Sequence, residues 1–285
     1  MIEVFDEDLH SGVNLALEVG EIYYREKTDL QDLLIFEHAR FGRVMALDGS
    51  IQTTENDEFI YHEMFVHVPL LAHGNVKNVL IVGGGDGGAA RQLMKHDDIN
   101  VTLVDIDRTV IDLSVEYMPK VSGGAFDDPR LNVIIADGCQ YVKETADRFD
   151  VIIVDSTDPH GPGQVLFTQE FYSDCKSCLT DGGIIVTQNG CPFVQGDELR
   201  DSYERLGTLF QDVSFYMATI PSYVGGPLAF GWATDNKALR NVDLGTLAER
   251  FLTAELQTDY YTPEIHKAAF VLPLYVQKLL TAEKA

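Results

Sequence analysis

Polar and apolar residues alternate in short runs over the first 57 or so residues of this 285-residue chain. The runs LALEVGEIYYREKTD and DLLIFEHARFGRVMALDGSIQTTEND are interrupted by Gly and Asp-Gly turn signals. Alternation with a period of two, bounded by such turns, is typical of antiparallel strands and hairpins. We therefore predict a small antiparallel β domain over residues 1–57.

The period changes at Glu58, where EFIYHEMFVHVPLLAH places its apolar residues near helical spacing. Downstream, the apolar runs VKNVLIV, NVTLVDID, LNVIIADG and DRFDVIIVDS alternate with amphipathic stretches, and helical segments over residues 244–256 and 263–280 close the chain. Continuous apolar strands alternating with helices indicate βαβ crossovers and a mostly parallel sheet covered on both faces. The predicted fold class is α/β, with a second domain over residues 58–285.

Charge narrows the class of partner. The formal net charge is −24, so a phosphate backbone would be repelled and we expect no nucleic-acid partner. The same field would attract a small polycation, although acidity is also a common means of staying soluble.

No stretch approaches the roughly 20 apolar residues of a membrane span, and the acidic N-terminus is unlike a signal peptide. We expect a cytoplasmic protein that binds no membrane.

The chain has four cysteines, which a protein of this size does not need as disulfide staples. Cys175 and Cys178 form a C-x-x-C motif inside a predicted helix, with no second pair to complete a zinc site. We therefore predict reduced cysteines and no metal site.

Four predicted strands end in acidic residues. In an open α/β sheet, ligands bind beyond the carboxyl ends of the strands. One Asp in such a place is also a common helix N-cap, but four together favour a shared pocket. These ends are Gly83-Gly84-Gly85-Asp86-Gly87-Gly88, Asp105-Ile106-Asp107, Asp137-Gly138 and Asp155-Ser156-Thr157-Asp158-Pro159.

The first of these turns satisfies G-x-G-x-x-G, and Asp105 follows at about the spacing of a ribose-binding acid. A nicotinamide dehydrogenase is thus one alternative. However, Asp86 lies inside the loop, where an anion repels a diphosphate and attracts a sulfonium or ammonium. The loop therefore suits a cationic nucleoside better than a dinucleotide.

Other acids in the strand ends suggest individual contacts. Asp105 is placed to accept hydrogen bonds from a ribose diol, and Asp137 could accept one from an adenine amino group. The segment DSTDPHGPGQVLF, residues 155–167, is rich in Pro and Gly, which indicates a lid or binding loop. Its pair of carboxylates, Asp155 and Asp158, could also be a turn cap.

Together these residues resemble the spermidine synthase family through most of the chain. The segments that carry the resemblance are DEFIYHEM, VLIVGGGDGG, DSTDPHGPG, IPSYVGG and IHKAAFVLP. The resemblance implies a small N-terminal β domain followed by a methyltransferase-like Rossmann domain, assembled as a homodimer or homotetramer. It also implies transfer of the aminopropyl group of decarboxylated S-adenosylmethionine to putrescine, which yields spermidine and methylthioadenosine.

The resemblance assigns a role to each candidate residue. The nucleoside donor would be bound by Gln31 and Asp105 at the ribose, Asp137 and Gly138 at the adenine, Pro162 in the lid, Gly83 and Gly85 in the turn, and Asp86 at the aminopropyl ammonium. The acceptor amine would meet Tyr61, His62, Asp155, Asp158 and Tyr223, with Asp155 as the base. Without the motif, Tyr61 and His62 could simply pack at a helix boundary. The family commonly has Glu where this chain has Asp105.

The implied reaction needs no metal and no cofactor, because decarboxylated S-adenosylmethionine is itself a substrate and a sulfonium is an activated leaving group. Two alternatives stay open. A putrescine N-methyltransferase would use ordinary S-adenosylmethionine, although Asp86 would repel that donor's carboxylate. A non-enzymatic polyamine-binding protein would have no use for a nucleoside pocket beside the amine site.

Overall fold

The computed structural model describes residues 3–10, 12–158 and 161–281, except for the side chains of residues 161 and 162. The chain begins with a hairpin of β1 (Val4–His10) and β2 (Val13–Glu18). An antiparallel sheet follows, in which neighbouring strands pair in the order β3 (Ile22–Lys27), β4 (Asp32–His38), β5 (Gly42–Leu47) and β6 (Ser50–Thr54). The predicted antiparallel β structure is confirmed.

The turn between β5 and β6 shows how local sequence sets this sheet. Leu47 pairs with Ser50, so the connection is two residues long, and both Asp48 and Gly49 have positive φ, at 50° and 80°. A two-residue hairpin of this kind needs left-handed backbone at both positions, which Asp-Gly tolerates well. The Asp-Gly signal in the sequence therefore marks a tight hairpin.

The 16-residue helix α1 (Glu58–His73) lies between this sheet and the rest of the chain. It is buried on nearly all sides, and the left-handed Gly74 caps its C-terminus. Such a helix is apolar around most of its circumference, so its polar side chains need specific partners inside the protein. We retain the domain division between residues 57 and 58 as a proposal.

A seven-stranded sheet forms the core of the remaining chain. Its strands are β7 (Asn78–Gly83), β8 (Asn100–Asp105), β9 (Leu131–Ile135), β10 (Phe149–Asp155), β11 (Leu179–Gln188), β12 (Asp212–Ala218) and β13 (Leu228–Thr234). They lie in the order β12-β13-β11-β10-β7-β8-β9. Five strands, β7 to β11, run parallel, and β13 is antiparallel to both of its neighbours.

Helices cover both faces of this sheet. They are α2 (Gly88–Leu93), α3 (Arg108–Tyr117), α4 (Pro119–Ser122), α5 (Gly138–Glu144), α6 (Gln169–Cys178), α7 (Gly196–Gly207), α8 (Leu244–Thr253), α9 (Pro263–Ala269) and α10 (Leu274–Thr281), with 3₁₀ turns at Ala125–Asp127, Gly161–Phe167 and Leu239–Asn241. Alternate residues of β7 pack on opposite faces: Val79 and Ile81 with α1, and Leu80 and Val82 with the side that carries α6. This explains why the central strands are continuous apolar runs. The α/β, Rossmann-like fold class is confirmed.

One detail differs from the sequence pattern. The helical segment predicted over residues 263–280 is two helices, because the chain leaves helical geometry between Ala269 and Leu274, around Pro273. Cys175 and Cys178 are free thiols buried in the core on α6. None of the helices in the described ranges is both long and apolar enough to cross a membrane.

Candidate active site

A cavity of about 700 Å³ lies at the carboxyl ends of β7, β8 and β10, and residues of the N-terminal sheets form part of its wall. Twelve of the thirteen predicted site residues line it: Gln31, Tyr61, His62, Gly83, Gly85, Asp86, Asp105, Asp137, Gly138, Asp155, Asp158 and Tyr223. The thirteenth, Pro162, has its side chain outside the described part of the chain. The structure thus gathers residues that are up to 192 positions apart, from Gln31 to Tyr223, around one space.

The glycine-rich turn brings the ends of β7 and β10 together. Gly83 has φ of 83°, and a Cβ at this residue would lie 2.1 Å from the carbonyl oxygen of Asp155. Gly84 donates a backbone hydrogen bond of 2.9 Å to the same oxygen. At Gly88, a Cβ would lie 2.2 Å from the imidazole of His62. Glycine is therefore required here so that the backbone of β10 and the His62 side chain of α1 can approach the turn closely.

Asp155 is hydrogen-bonded to Tyr61 in the wall of the cavity. The Tyr61 hydroxyl donates a 2.6 Å hydrogen bond to Asp155 Oδ1, and the side chain of Tyr61 is buried. Burial and the nearby charge of Asp86 raise the pKa of Asp155 to about 6. A carboxylate with this pKa is mostly ionised at neutral pH and is more basic than an ordinary aspartate.

A line of charged side chains runs from the surface to the glycine turn. Arg91 donates to Glu58 Oε1 at 2.6 Å, and the second oxygen of Glu58 lies 2.6 Å from Nδ1 of His62. His62 Nε2 lies 3.4 Å from Asp86 Oδ2, while the backbone N–H of Gly88 donates to Asp86 Oδ1 at 2.8 Å. Asp86 Oδ1 therefore accepts a backbone hydrogen bond, and its Oδ2 faces a ring nitrogen of His62.

The loop that carries Tyr223 is attached to the start of α1. The backbone N–H of Ser222 donates to Asp57 Oδ2, and Thr54 donates to Asp57 Oδ1, both at 2.7 Å. The Tyr223 hydroxyl donates at 2.5 Å to the carbonyl oxygen of Gln52 on β6. Its ring meets that of Tyr61 edge-on, with centroids 6.2 Å apart. These bonds hold two phenol groups beside Asp155.

Asp105, which ends β8, and Asp107, two residues later, make different hydrogen bonds. Asp107 is the N-cap of α3 through Oδ1, and its Oδ2 accepts a 2.7 Å hydrogen bond from Nε2 of Gln31. Asp105 does not cap the helix; its Oδ1 accepts from the backbone N–H of Asp107 at 2.8 Å. Burial raises the pKa of Asp105 to about 6. This leaves Asp105 as a cavity-facing carboxylate, and Asp107 joins the N-terminal sheet to this edge of the cavity.

Asp137 is the N-cap of α5, since its Oδ1 accepts from the backbone N–H groups of Cys139 at 2.7 Å and Gln140 at 3.3 Å. The helix-cap alternative raised by the sequence is therefore present at this residue. A contact between Asp137 and an adenine stays a prediction.

Asp158 also lines the cavity, and its Oδ1 accepts a 2.9 Å hydrogen bond from Nε2 of Gln188. Glu7 of the first hairpin also lines the cavity and accepts from the backbone N–H of Ile51 at 2.7 Å. Burial raises the pKa of Glu7. Sequence reasoning missed Gln188 and Glu7. Gln188 could have been found because it ends β11, but nothing local marks Glu7 as part of the site.

Two of these carboxylates could share an organic ammonium. Ligand atoms of Asp86, Asp155 and His62 all lie within 4.8 Å of one another, but both ring nitrogens of His62 already face carboxylates, so Asp86 and Asp155 are the groups that suit a cation. The hydroxyl of Tyr61 at Asp155 adds an orienting hydrogen-bonding group suited to an amine. The chemistry that this arrangement supports is the binding of cationic nitrogen compounds beside a strand-end nucleoside pocket.

The fold and cavity define a class: Rossmann-like α/β proteins in which acidic strand ends and a glycine-rich turn surround one ligand cavity. Within that class, the chain belongs to the spermine/spermidine synthase family. Residues 58–243 match the model of the spermine/spermidine synthase domain, and residues 4–55 match that of the spermidine synthase tetramerisation domain. The resemblance inferred from the sequence is confirmed.

Relatives in this family align over almost the whole chain. A polyamine aminopropyltransferase of Ruegeria sp. (strain TM1040) is 58% identical over 274 residues, which are 96% of each chain. The polyamine aminopropyltransferase of Pectobacterium carotovorum subsp. carotovorum (strain PC1) is 51% identical over 98% of this chain and 97% of its own.

Two solved structures share the fold. A crystal structure of spermidine synthase in complex with the transition state analogue AdoDATO has a TM-score of 0.93 and 37% sequence identity. That of spermidine synthase from Thermotoga maritima has a TM-score of 0.91 and 36% identity. Both alignments cover 98% of this chain and 94% of the other.

Proposed function

We propose that this protein is a spermidine synthase, which transfers the aminopropyl group of decarboxylated S-adenosylmethionine to putrescine and releases methylthioadenosine. Relatives at 51–58% identity are aminopropyltransferases, and a spermidine synthase in complex with a transition state analogue has the same fold. The single observation that carries the proposal is the position of Asp155. It is bonded to Tyr61 and lies in the same cavity as Asp86 of the glycine turn.

The donor would lie along the ends of β7, β8 and β9. Asp105 would accept from the ribose hydroxyls, with Gln31 beside it, and Asp137 and Gly138 would face the adenine, with Pro162 above. Gly83 and Gly85 would give the nucleoside access to the turn. Asp86 would bind the ammonium of the aminopropyl group, because its carboxylate is anionic and lies within the turn.

The acceptor would lie between Asp155 and Asp158. One ammonium of putrescine would be held by Asp158, with Gln188 fixing that carboxylate. The other would approach Asp155, with Tyr61, Tyr223 and His62 around it. The buried ring of Tyr61 and the partly buried ring of Tyr223 favour an alkyl chain that carries its charges at the ends.

Putrescine reaches the site doubly protonated, because primary alkylamines titrate near the lysine value of about 10.4. Asp155, with a pKa of about 6, would accept one proton and leave the nitrogen with a free electron pair. That pair would form the new N–C bond with the methylene next to sulfur. The C–S bond breaks as its electron pair returns to sulfur, and methylthioadenosine leaves as a neutral thioether.

Positioning would supply most of the rate. A well-oriented pair of reactants can lower the barrier by roughly 7–11 kcal/mol, whereas one general base contributes about 10²–10⁴-fold. The sulfonium is already activated, so we propose that the reaction needs neither a metal nor a nicotinamide cofactor. The donor is a co-substrate.

Putrescine N-methylation is the second candidate, because the same cavity could present a methyl sulfonium to the same amine. Ordinary S-adenosylmethionine would bring its carboxylate close to Asp86, and like charges repel in a buried site. This observation favours the decarboxylated donor.

We also propose that the protein is a cytoplasmic homo-oligomer, a dimer or a tetramer, with small molecules rather than nucleic acids or membranes as its partners. The match of residues 4–55 to a tetramerisation domain supports association. The charge of −24 argues against polyanionic partners.

The test of the proposed function is mass analysis of products from each donor with a panel of amines, in the presence of a metal chelator. Spermidine and methylthioadenosine are expected from decarboxylated S-adenosylmethionine and putrescine. Methyl transfer faster than aminopropyl transfer would favour the N-methyltransferase, and binding without turnover would favour a polyamine-binding protein.

A further inference from the structure

We propose that His62 is a permanently charged counter-ion inside the amine site, held by Glu58 and Arg91, and that its charge keeps Asp155 ionised and able to accept a proton. The part concerning Asp155 rests on the proposed function. In this arrangement Glu58 and Arg91 are positioning residues, because they act on the reaction through His62.

Four ionisable side chains form a line in which each contacts the next. Arg91 is 2.6 Å from Glu58, Glu58 is 2.6 Å from His62, and His62 is 3.4 Å from Asp86. The side chains of Glu58 and His62 are 4% and 2% exposed. A buried charge without a partner is costly, so two groups this deeply buried are expected to neutralise each other.

His62 must supply a hydrogen-bond donor to each of two carboxylates. Its Nδ1 faces one carboxylate and its Nε2 faces another, and only the protonated imidazolium can donate from both nitrogens. A neutral ring would turn a lone pair toward either Glu58 or Asp86. Burial alone lowers the pKa of His62, but Asp86 and Glu58 outweigh burial and raise it to about 10.

The groups that face His62 come from every element around it. Glu58 and the edge-on ring of Tyr61 belong to α1, and Asp86 belongs to the turn after β7. Asp155 belongs to β10, while Arg91 on α2 contacts Glu58. Among these charged groups, the carboxylates are the nearer neighbours. The proton on His62 is thus stabilised from three directions.

The charge of His62 changes the pKa of Asp155. Burial and Asp86 both raise its pKa, whereas the positive charge of His62 lowers it, and the balance is a pKa of about 6. An opposite charge within about 4–6 Å shifts a carboxyl pKa by about 1–3 units. Without the counter-ion, Asp155 would hold its proton at neutral pH and could not act as the base.

The main experiment uses His62→Gln, which removes the charge and keeps a polar side chain that can donate a hydrogen bond. In the parent, kcat/KM for putrescine should fall below about pH 6, where Asp155 becomes protonated. In the variant, this acidic limb should move up by about 1–2 pH units, within the range for losing a nearby opposite charge. Turnover should recover toward the parent at high pH.

The matched control is Glu63→Gln. Glu63 is buried on the same helix, but its carboxylate accepts backbone hydrogen bonds from residues 259–261 rather than contacting the site. This variant should lose stability without moving the acidic limb. Circular dichroism identifies any variant that does not fold.

A second measurement needs no turnover. In NMR spectra of the histidine side chains, His62 of the parent should stay protonated up to about pH 9, and in Glu58→Gln its titration should move at least about one unit lower. A parent His62 that titrates near 6.5, or an acidic limb that stays in place in folded His62→Gln, would overturn the proposal. If the parent transfers no aminopropyl group, the proposed function fails, while the NMR result still decides whether His62 is charged.

Discussion

Asp155 combines three properties: desolvation by burial, a hydrogen bond from a phenol and a neighbouring anion. Tyr61 donates to one of its oxygens, and the charge of Asp86 raises its basicity. These properties suit a base that must accept a proton from an ammonium and return it to water after the transfer.

We predict that Asp155→Asn lowers turnover by about 10²–10⁴, the usual range for removing a general base, while methylthioadenosine binding stays within a few-fold of the parent. The amide keeps the size of the side chain and can still accept from Tyr61. Steady-state kinetics and calorimetry measure the two effects.

Raising the pH should partly rescue Asp155→Asn, because more of the amine then arrives unprotonated. A structural defect would not respond to pH in this way. Turnover close to that of the parent in a folded variant would transfer the role of base to Asp158.

At the scale of secondary-structure elements, α1 links the site to the C-terminal part of the chain. Glu58, Tyr61 and His62 lie on the face toward the cavity, whereas Glu63 contacts the C-terminal part of the chain and His67 contacts Gln92 of α2. Residues at spacing three and four share a face of a helix, and the next residue along does not. The same helix therefore serves both the site and the C-terminal segment.

Glu63 is the main attachment of that segment. Its two oxygens accept from the backbone N–H groups of Asp259 at 2.9 Å and of Tyr260 and Tyr261 at 2.8 Å. We predict that Glu63→Ala lowers the free energy of unfolding by about 3 kcal/mol or more, since each hydrogen bond to a charged group is worth about 1.5–3 kcal/mol. Urea unfolding at fixed protein concentration measures the loss.

The control for Glu63→Ala is Asp112→Asn, which breaks an exposed ion pair with Arg108 on α3. Exposed pairs contribute about 0–1 kcal/mol, so this variant should resemble the parent. Equal stability of the two variants would mean that Glu63 is not an attachment point.

At the scale of the whole molecule, buried histidines set the response to acid. His67 bonds His96 at 3.0 Å, and Tyr261 bonds His266 at 2.9 Å. Burial lowers the pKa of all three histidines, to about 4 for His96 and about 3 for His266. Each is therefore neutral in the folded protein at neutral pH.

We predict that the free energy of unfolding falls as the pH drops from about 6.5 toward 4 and 3. The unfolded chain takes up protons at the ordinary histidine pKa of about 6.5, whereas the folded protein binds them only near 4 and 3. The carboxyls of Asp105 and Asp155, with pKa values raised to about 6, act in the opposite direction and reduce the fall.

The measurement is urea unfolding between pH 7 and 4, at one protein concentration because association also contributes to stability. His96→Gln should flatten the profile, and His38→Gln, which changes a partly exposed histidine on β4, should not. The prediction would be wrong if the two variants gave the same slope.

Much of the molecule follows from short stretches of sequence. Period-two alternation with Asp48-Gly49 predicts the hairpins, the apolar runs predict the parallel strands, and the acid after each run predicts where a ligand binds. These signals are readable because the strand period, the turn geometry and the strand-end rule depend on neighbouring residues. The family motifs then identify the residues that belong to the site.

The tertiary structure alone decides which of those acids do what. Asp105 and Asp107 are two residues apart in one strand end, yet the first faces the cavity and the second caps α3 and binds Gln31. The charge of His62 depends on Glu58, one turn away, and on Asp86, which only the fold brings near. Hydrogen bonding and Coulomb interactions act over a few ångströms of space, so residues distant in the chain set the basicity of each group.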